Sequence, residues 1–432
     1  MYMFNYIVNF IVNWYVFIYY TCKLYFEKYP IISQKKGKFS WNVFVKSKTS
    51  KARLGVITTP HGKIKTPAFI FCATKASMKT TTTDYMESNN TQIILSNTYH
   101  LFLKGYDVIK SIGGLHKAIG WNGPMLTDSG GYQVFAMNHR SVSGDIKGNR
   151  NISWKPSLQK VTDDSAKFRC YYTNKIVELT PEKSIDVQKA LGADLVVVFD
   201  ECTSNNISKE ETEKSLVRSH LWEKRSLDHF EKINDGSQAL YGIVQGGTYE
   251  DLRKTSCDFI NNNNFFGIAV GGCLGDTTEK MHHIVNFCMD NLRKDRPVHL
   301  LGIGYLKDIF NGVKQGIDTF DCVHPSRVAR HGFAYVKAKY LQTTSEKRTN
   351  NINLNRGKYE NDHTILEENC KCTTCKKGYT RSYIHLLIKE KELMAYTLIT
   401  NHNVYFFNKM MEDIRYGILT DTLDSISDIY IN

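Results

Sequence analysis

No arginine precedes Arg53, and no charged side chain appears before Lys23. The first absence argues against an Arg-rich transit peptide. The second leaves residues 1–22 as an uncharged run rich in Ile, Val, Phe and Tyr, followed by Lys23, Lys28, Lys35, Lys36 and Lys38. Asn5, Asn9 and Asn13 recur at every fourth residue and would lay a polar stripe along a helix, which weakens a bilayer-spanning reading. For residues 1–50 an anchor or targeting segment is one reading, and a loosely attached apolar and basic extension is the other. If the segment inserts, the lysines behind it keep the body of the protein on the cytosolic face of an organelle membrane. A disulfide framework is also missing. Most of the 11 cysteines are scattered singly, which fits a reducing, cytoplasmic setting. Only Cys370, Cys372 and Cys375 cluster.

What is present describes a large globular protein: 432 residues, 42% hydrophobic and 23% charged. Lys and Arg exceed Asp and Glu by 13, which favours a polyanionic partner such as nucleic acid or an acidic membrane surface.

From residue 68 a short apolar run, a polar or glycine-rich loop and a helical stretch repeat. The runs are Ala68–Cys72, Ile93–Leu95, Met125–Thr127, Leu195–Phe199, Leu240–Val244, Phe266–Val270, His299–Ile303 and Thr319–Val323. The helix 181–191 reads from its ends: Thr180 as cap, Pro181 at its first position and Gly192 after its last. Further helices are expected at 209–232, 248–261, 277–292 and 305–315. Strands alternating with helices in this number predict a (β/α)8 TIM barrel over residues 51–345. Residues 138–180 break the alternation and predict an antiparallel β insertion with a disordered, lysine-rich part near 144–165. The loop 343–365, rich in Asn, Lys and Thr, is expected to be mobile. Residues 346–432 are expected to form a zinc-binding helical subdomain.

In a barrel the residues just after each strand converge on one face. Here those are Ser96-Asn97-Thr98-Tyr99-His100, Asp128-Ser129-Gly130-Gly131-Tyr132-Gln133, Asp200-Glu201-Cys202, Gln245-Gly246-Gly247, Gly271-Gly272-Cys273-Leu274-Gly275, Gly302 and Asp321. Three aspartates would share a pocket with a glutamine, a tyrosine and close-approach glycines, an arrangement suited to the edge of a flat, purine-like base. Asp321 sits beside Arg327 and Arg330. A carboxylate next to polyanion-binding arginines would repel the ligand unless it acts on it, so Asp321 is the candidate nucleophile.

Together these segments resemble the tRNA-guanine transglycosylases, the queuine tRNA-ribosyltransferases, from about Leu54 to Ile418. The resemblance implies a pentosyltransferase that exchanges guanine at the wobble position of tRNA with a GUN anticodon for queuine. By position, Asp321 would attack the ribose anomeric carbon and Asp128 would carry the proton. Asp200, Gln245 and the backbone of Gly272 would hold the base, with Cys202 nearby and Tyr132 and Leu301 on its two faces. Arg327 and Arg330 would anchor the flanking nucleotides. Leu301 stands where many relatives have Met, and Cys273 where Leu is usual. Gly275 matches the eukaryotic Gly rather than the bulkier bacterial Val, leaving room for the cyclopentenediol arm of queuine, whereas Cys202 is bacterial in style.

The CxCxxC run Cys370–Cys375 needs a fourth ligand for tetrahedral Zn²⁺. His385 and His402 both lie near by pattern, with helices expected at 383–399 and from just after His402. The family pattern selects His402, giving a closed, structural zinc site; a redox role is the alternative for the three cysteines. The family also implies a dimer, either of two copies or with a paralogous accessory subunit. The rival readings are the same exchange with 7-aminomethyl-7-deazaguanine, a non-catalytic paralogous subunit, and a tRNA-binding scaffold without chemistry.

Overall fold

The computed structural model describes residues 30–136, 157–204, 207–272 and 275–431. The apolar segment 1–22, Trp154, Cys273 and Leu274 lie outside the described residues. Among the described residues no helix is long and apolar enough to cross a membrane.

The chain enters as an antiparallel sheet of β1 (Ile32–Lys36), β2 (Phe39–Lys46), β3 (Arg53–Thr59) and β4 (Gly62–Thr66). The expected boundary at residue 51 falls between β2 and β3, which pair along their length. Residues 32–46 therefore belong with the barrel rather than with an extension. Their alternation drives this: Phe39, Trp41 and Val43 are buried while the residues between them are partly exposed.

The barrel strands follow: β5 (Ala68–Cys72), β6 (Ile94–Ser96) and β7 (Met125–Thr127). After them come the three insertion strands β8 (Leu158–Val161), β9 (Ala166–Arg169) and β10 (Ile176–Leu179). The barrel then resumes with β11 (Leu195–Val197), β12 (Ala239–Val244), β13 (Gly267–Val270), β14 (Val298–Leu300) and β15 (Thr319–Cys322). Eight parallel strands close in the order β11-β12-β13-β14-β15-β5-β6-β7. Their near-continuous apolar runs match strands covered on both faces. The insertion is an antiparallel sheet in the order β10-β9-β8. Its part at 157–165, expected to be disordered, instead carries β8 paired to β9.

Helices cover the outside. Pro181–Leu191 forms as read, with the Thr180 hydroxyl accepting from Lys183 N and Gly192 in the left-handed region. Lys209–Ile233 opens on a reciprocal cap between Ser208 and Glu211. At the N-terminal end of the barrel, Arg53 makes paired bonds to Asp318 at 2.9 and 2.5 Å, and Asp318 also accepts from Val298 N. This buried pair ties the first sheet to the base of β15.

Two expectations for the C-terminal part are corrected. The stretch 343–365 is not a mobile loop: it holds the helix Thr344–Thr349, strand β17 (Asn351–Asn353) paired with β16 (Phe333–Tyr335), and the short helix Gly357–Tyr359. Ile352 and Leu354 are fully buried, and Glu346 caps Thr343, so polar composition concealed a packed segment. The boundary at 345 consequently falls inside a helix. His402 does not begin a helix either. It lies within one continuous helix, Leu393–Thr420, which packs across the barrel, Phe407 meeting Phe69 at 4.6 Å between ring centres.

Candidate active site

The loops at the C-terminal ends of the strands bring most of the expected residues into one connected set. Gln245, immediately after β12, donates from Nε2 to Asp200 Oδ2 at 2.5 Å. Ser129 Oγ, in the loop after β7, reaches Asp200 Oδ1 at 3.4 Å. Gly272 has a φ of +76°, and a Cβ there would sit 2.0 Å from Gln245 Oε1. A side chain there would press on the Gln245 amide and strain the left-handed backbone, so glycine lets the main chain stand close to Gln245. Leu301 is half-buried, its N–H bonded to Val270 O at 3.2 Å. Cys202 is half-buried two residues past Asp200, and Tyr132 is exposed on the helix Gly131–Ala136.

The three aspartates sit in different surroundings. Asp128 accepts from Thr98 N at 2.9 Å and from Asn97 Nδ2. Burial above all, with the charge of Asp321 added, pushes its carboxyl up to about 7 against the pull of those donors. A group half-protonated near neutrality can give and take a proton. Burial pushes Asp200 up to about 6, with Gln245 and Ser129 opposing.

Asp321 lies on β15, one residue before the strand ends, and like Asp128 is half-buried, whereas Asp200 is buried. Gly302 N donates to its Oδ1 at 2.9 Å, and the Cys72 thiol lies 3.7 Å from its Oδ2. Burial and the carboxylate together push that thiol well up, so it stays protonated as a weak donor. Arg327 and Arg330 follow on the helix His324–Ala329 and at its end. Arg330 bonds Ser326 O at 2.8 Å. Burial, Arg330, Lys75 and Arg327 all depress the Lys79 ammonium, so these four cations lie near one another.

Sequence reasoning missed several residues. Arg253, buried on the helix Glu250–Asn262, donates from Nη1 to Val244 O and Gly271 O, both at 2.9 Å, and from Nε to Gly247 O at 2.8 Å. It fixes the two glycine-rich loops that frame Gln245 and Gly272. Asn97, Cys72, Lys75 and Lys79 also went unassigned. Asn97 alone carried a signal, as the strand-end residue before a helix.

The metal expectation has a geometric test. His402 Nδ1 lies 3.7, 3.4 and 3.6 Å from the sulfurs of Cys370, Cys372 and Cys375. Tetrahedral zinc, with Zn–S of about 2.3 Å and Zn–N of about 2.0 Å, sets sulfur and nitrogen roughly 3.5 Å apart. The four donors therefore fit, and the cluster can hold a metal ion. His402 Nε2 bonds Tyr335 O at 2.7 Å, which leaves Nδ1 free to ligate. His385 is elsewhere, its Nδ1 2.7 Å from Leu354 O. His61, His116 and Asp194 form a second group of donors, but the two imidazoles stack at 3.6 Å with 16° between planes. Their in-plane lone pairs run side by side, and His61 is bonded to Asp194 at 2.7 Å.

The family profile described as "Queuine tRNA-ribosyltransferase" matches residues 47–431. A queuine tRNA-ribosyltransferase of Roseiflexus sp. is 40% identical over 381 residues, 86% of this chain and 93% of its own length. Those of Protochlamydia amoebophila (38%, covering 92% of this chain and all of the relative) and Staphylococcus aureus (39%, 87% and 91%) are similarly close.

Proposed function

The chain belongs to the queuine tRNA-ribosyltransferase family, and on that footing we propose that it exchanges guanine in tRNA for queuine through a covalent enzyme–RNA intermediate. The observation that carries this is the shared barrel mouth: a connected base-edge reader, Asp200–Gln245–Gly272, beside two carboxylates of different character, Asp128 and Asp321.

In the first step Asp321 attacks the ribose anomeric carbon, and the bond to N9 of guanine breaks as the ester forms. Asp128, poised near neutrality, gives its proton to the departing base. In the second step Asp128 takes the N9 proton of the incoming base, whose nitrogen displaces Asp321. Two carboxylates with one net inversion at each step parallel retaining glycoside cleavage. Asp200 accepts from the donor edge of guanine and Gln245 supplies the complementary amide. Tyr132 and Leu301 cover its faces, and Cys202 lines the pocket. Lifting the nucleotide from its stack costs a few kcal/mol, which phosphate contacts from Arg327 and Arg330 offset.

Queuine is preferred over 7-aminomethyl-7-deazaguanine on the strength of Gly275. Its φ of +126° favours glycine there, in keeping with the eukaryotic pattern at this position. The metal is proposed to be a structural zinc ion held by Cys370, Cys372, Cys375 and His402; four protein ligands leave no open position for chemistry. A dimer, of two copies or with an accessory paralogue, follows from the family and is tested by size-exclusion chromatography. The deciding experiment loads tRNA with radiolabelled guanine and measures label release by the purified chain on adding queuine or its precursor. No release with either base, while tRNA still binds, would leave a tRNA-binding scaffold or a non-catalytic subunit as the better reading.

A further inference from the structure

His299 is a barrel-interior residue to which the reading above gives no task. It lies on β14 opposite Thr319 of β15 and is fully buried. Its Nδ1 is 3.0 Å from Thr319 Oγ1 and its Nε2 is 3.2 Å from Asp321 Oδ1. Thr319 and Asp321, two apart on one strand, share a face, so the ring bridges the layer below the carboxylate to the carboxylate itself. The contact to Asp321 is close but misaligned: Nε2 is a buried nitrogen without a partner in hydrogen-bond geometry. A Thr319 hydroxyl proton given to Nδ1 places the imidazole proton on Nε2, facing Asp321.

We propose that His299 is a positioning residue for Asp321: its Nε2–H joins the Gly302 N–H on Oδ1 and leaves Oδ2 as the oxygen that attacks the ribose carbon. This rests on the reading of Asp321 as nucleophile. With Oδ1 held between two N–H groups, the carboxylate plane is fixed and Oδ2 is the oxygen left to meet the anomeric carbon. No proton changes hands at His299. The bond from C1′ to Oδ2 forms, the bond from C1′ to N9 breaks, and guanine leaves with the proton of Asp128.

The other titratable groups around Asp321 are Cys72 from β5, Cys322 beside it on β15, and Asp128 after β7, with Arg327 from the following helix acting on Cys322. Both thiols are pushed up, Cys322 to about 11, and stay neutral. Asp128 is the remaining acidic group facing Asp321, and the Asp321 charge helps hold its proton in place.

The test follows covalent adduct formation with guanine-bearing tRNA on denaturing gels, in single turnovers between about pH 5 and 8. His299→Phe fills the space without a donor. It should slow adduct formation at least about tenfold and leave tRNA affinity unchanged. His299→Gln can return an N–H near Nε2 and should recover much of the rate. If His299→Phe does not fold, Thr319→Val, which removes the hydroxyl that orients the ring, should slow adduct formation by less. A rate equal to wild type, or a loss that His299→Gln leaves unrestored, overturns the proposal. If wild type forms no adduct, or Asp321→Asn still forms one, the nucleophile assignment fails instead, and that is seen before any His299 variant is needed.

Discussion

Gln245 donates to Asp200 at 2.5 Å, so the two side chains assigned to reading the base are bound to each other across the pocket. A guanine edge must share or replace that bond, and it presents N–H donors that need an ionised Asp200. With burial holding Asp200 up to about 6, the ionised fraction falls about tenfold per pH unit below that value. Free-base affinity measured by calorimetry should fall in step below pH 6 and level off above it. Asp200→Asn should abolish tight binding at every pH; an affinity flat between pH 5 and 7 would remove Asp200 from the base edge.

The two carboxylates proposed as nucleophile and proton carrier separate by product. Asp321→Asn should leave no RNA adduct on a denaturing gel while tRNA still binds. Asp128→Asn should also stop turnover, because guanine is a poor leaving group without a proton. An adduct that persists in Asp321→Asn and vanishes in Asp128→Asn would reverse the assignment.

Arg327 and Arg330 should act on tRNA and not on the free base. Changing either to Ala should weaken tRNA binding and, where the lost contact is to phosphate, lower the salt slope by about one. Filter binding across a salt series checks this, with base affinity as the control.

Removing the metal should reach stability before chemistry. The proposed ligands come from the CxCxxC segment and the helix Leu393–Thr420, so Cys372→Ser or chelation should untie segments that share one small core. Expected are a lower melting temperature and poorer solubility. Metal analysis giving far less than one zinc per active chain would contradict the assignment.

Glu223 offers a pH test away from the site. It is fully buried on the helix Lys209–Ile233; Oε2 accepts from Ile243 N at 3.1 Å, while Oε1 has no partner. Burial holds its carboxyl well above the usual range, so the folded chain keeps this proton to higher pH than the unfolded chain. Below about pH 4.3 the group brings no penalty; above it, folding loses about 1.4 kcal/mol per pH unit until the folded group also ionises. Glu223→Gln should raise the melting temperature at pH 8 and leave it nearly unchanged at pH 4.

The barrel was legible because its strands are buried on both faces and so read as short apolar runs closed by glycine or aspartate. Asp128, Asp200, Gln245 and Asp321 were visible for the same reason: each is the first chemical side chain after, or at the end of, such a run. Arg253 and His299 were not. One lies in the first turn of a helix and one in mid-strand, and their contacts reach groups distant in sequence. The polar string Thr400-Asn401-His402-Asn403 looked like a break between helices. Within the helix these groups are used instead: His402 turns to the cysteines, and Asn403 bonds Pro325 O and accepts from Tyr335 N.

The helix Leu393–Thr420 also sets a timetable for synthesis. By Cys322 the ribosome has made every barrel strand, and the carboxylates and base reader are in hand. The carbonyl of Pro325, beside Arg327, finds its partner Asn403 only when the last part of the chain emerges. A chain that ends before Asn403 lacks this tie to the helix that carries Arg327, and with it the Phe407 contact that closes over Phe69 of the barrel.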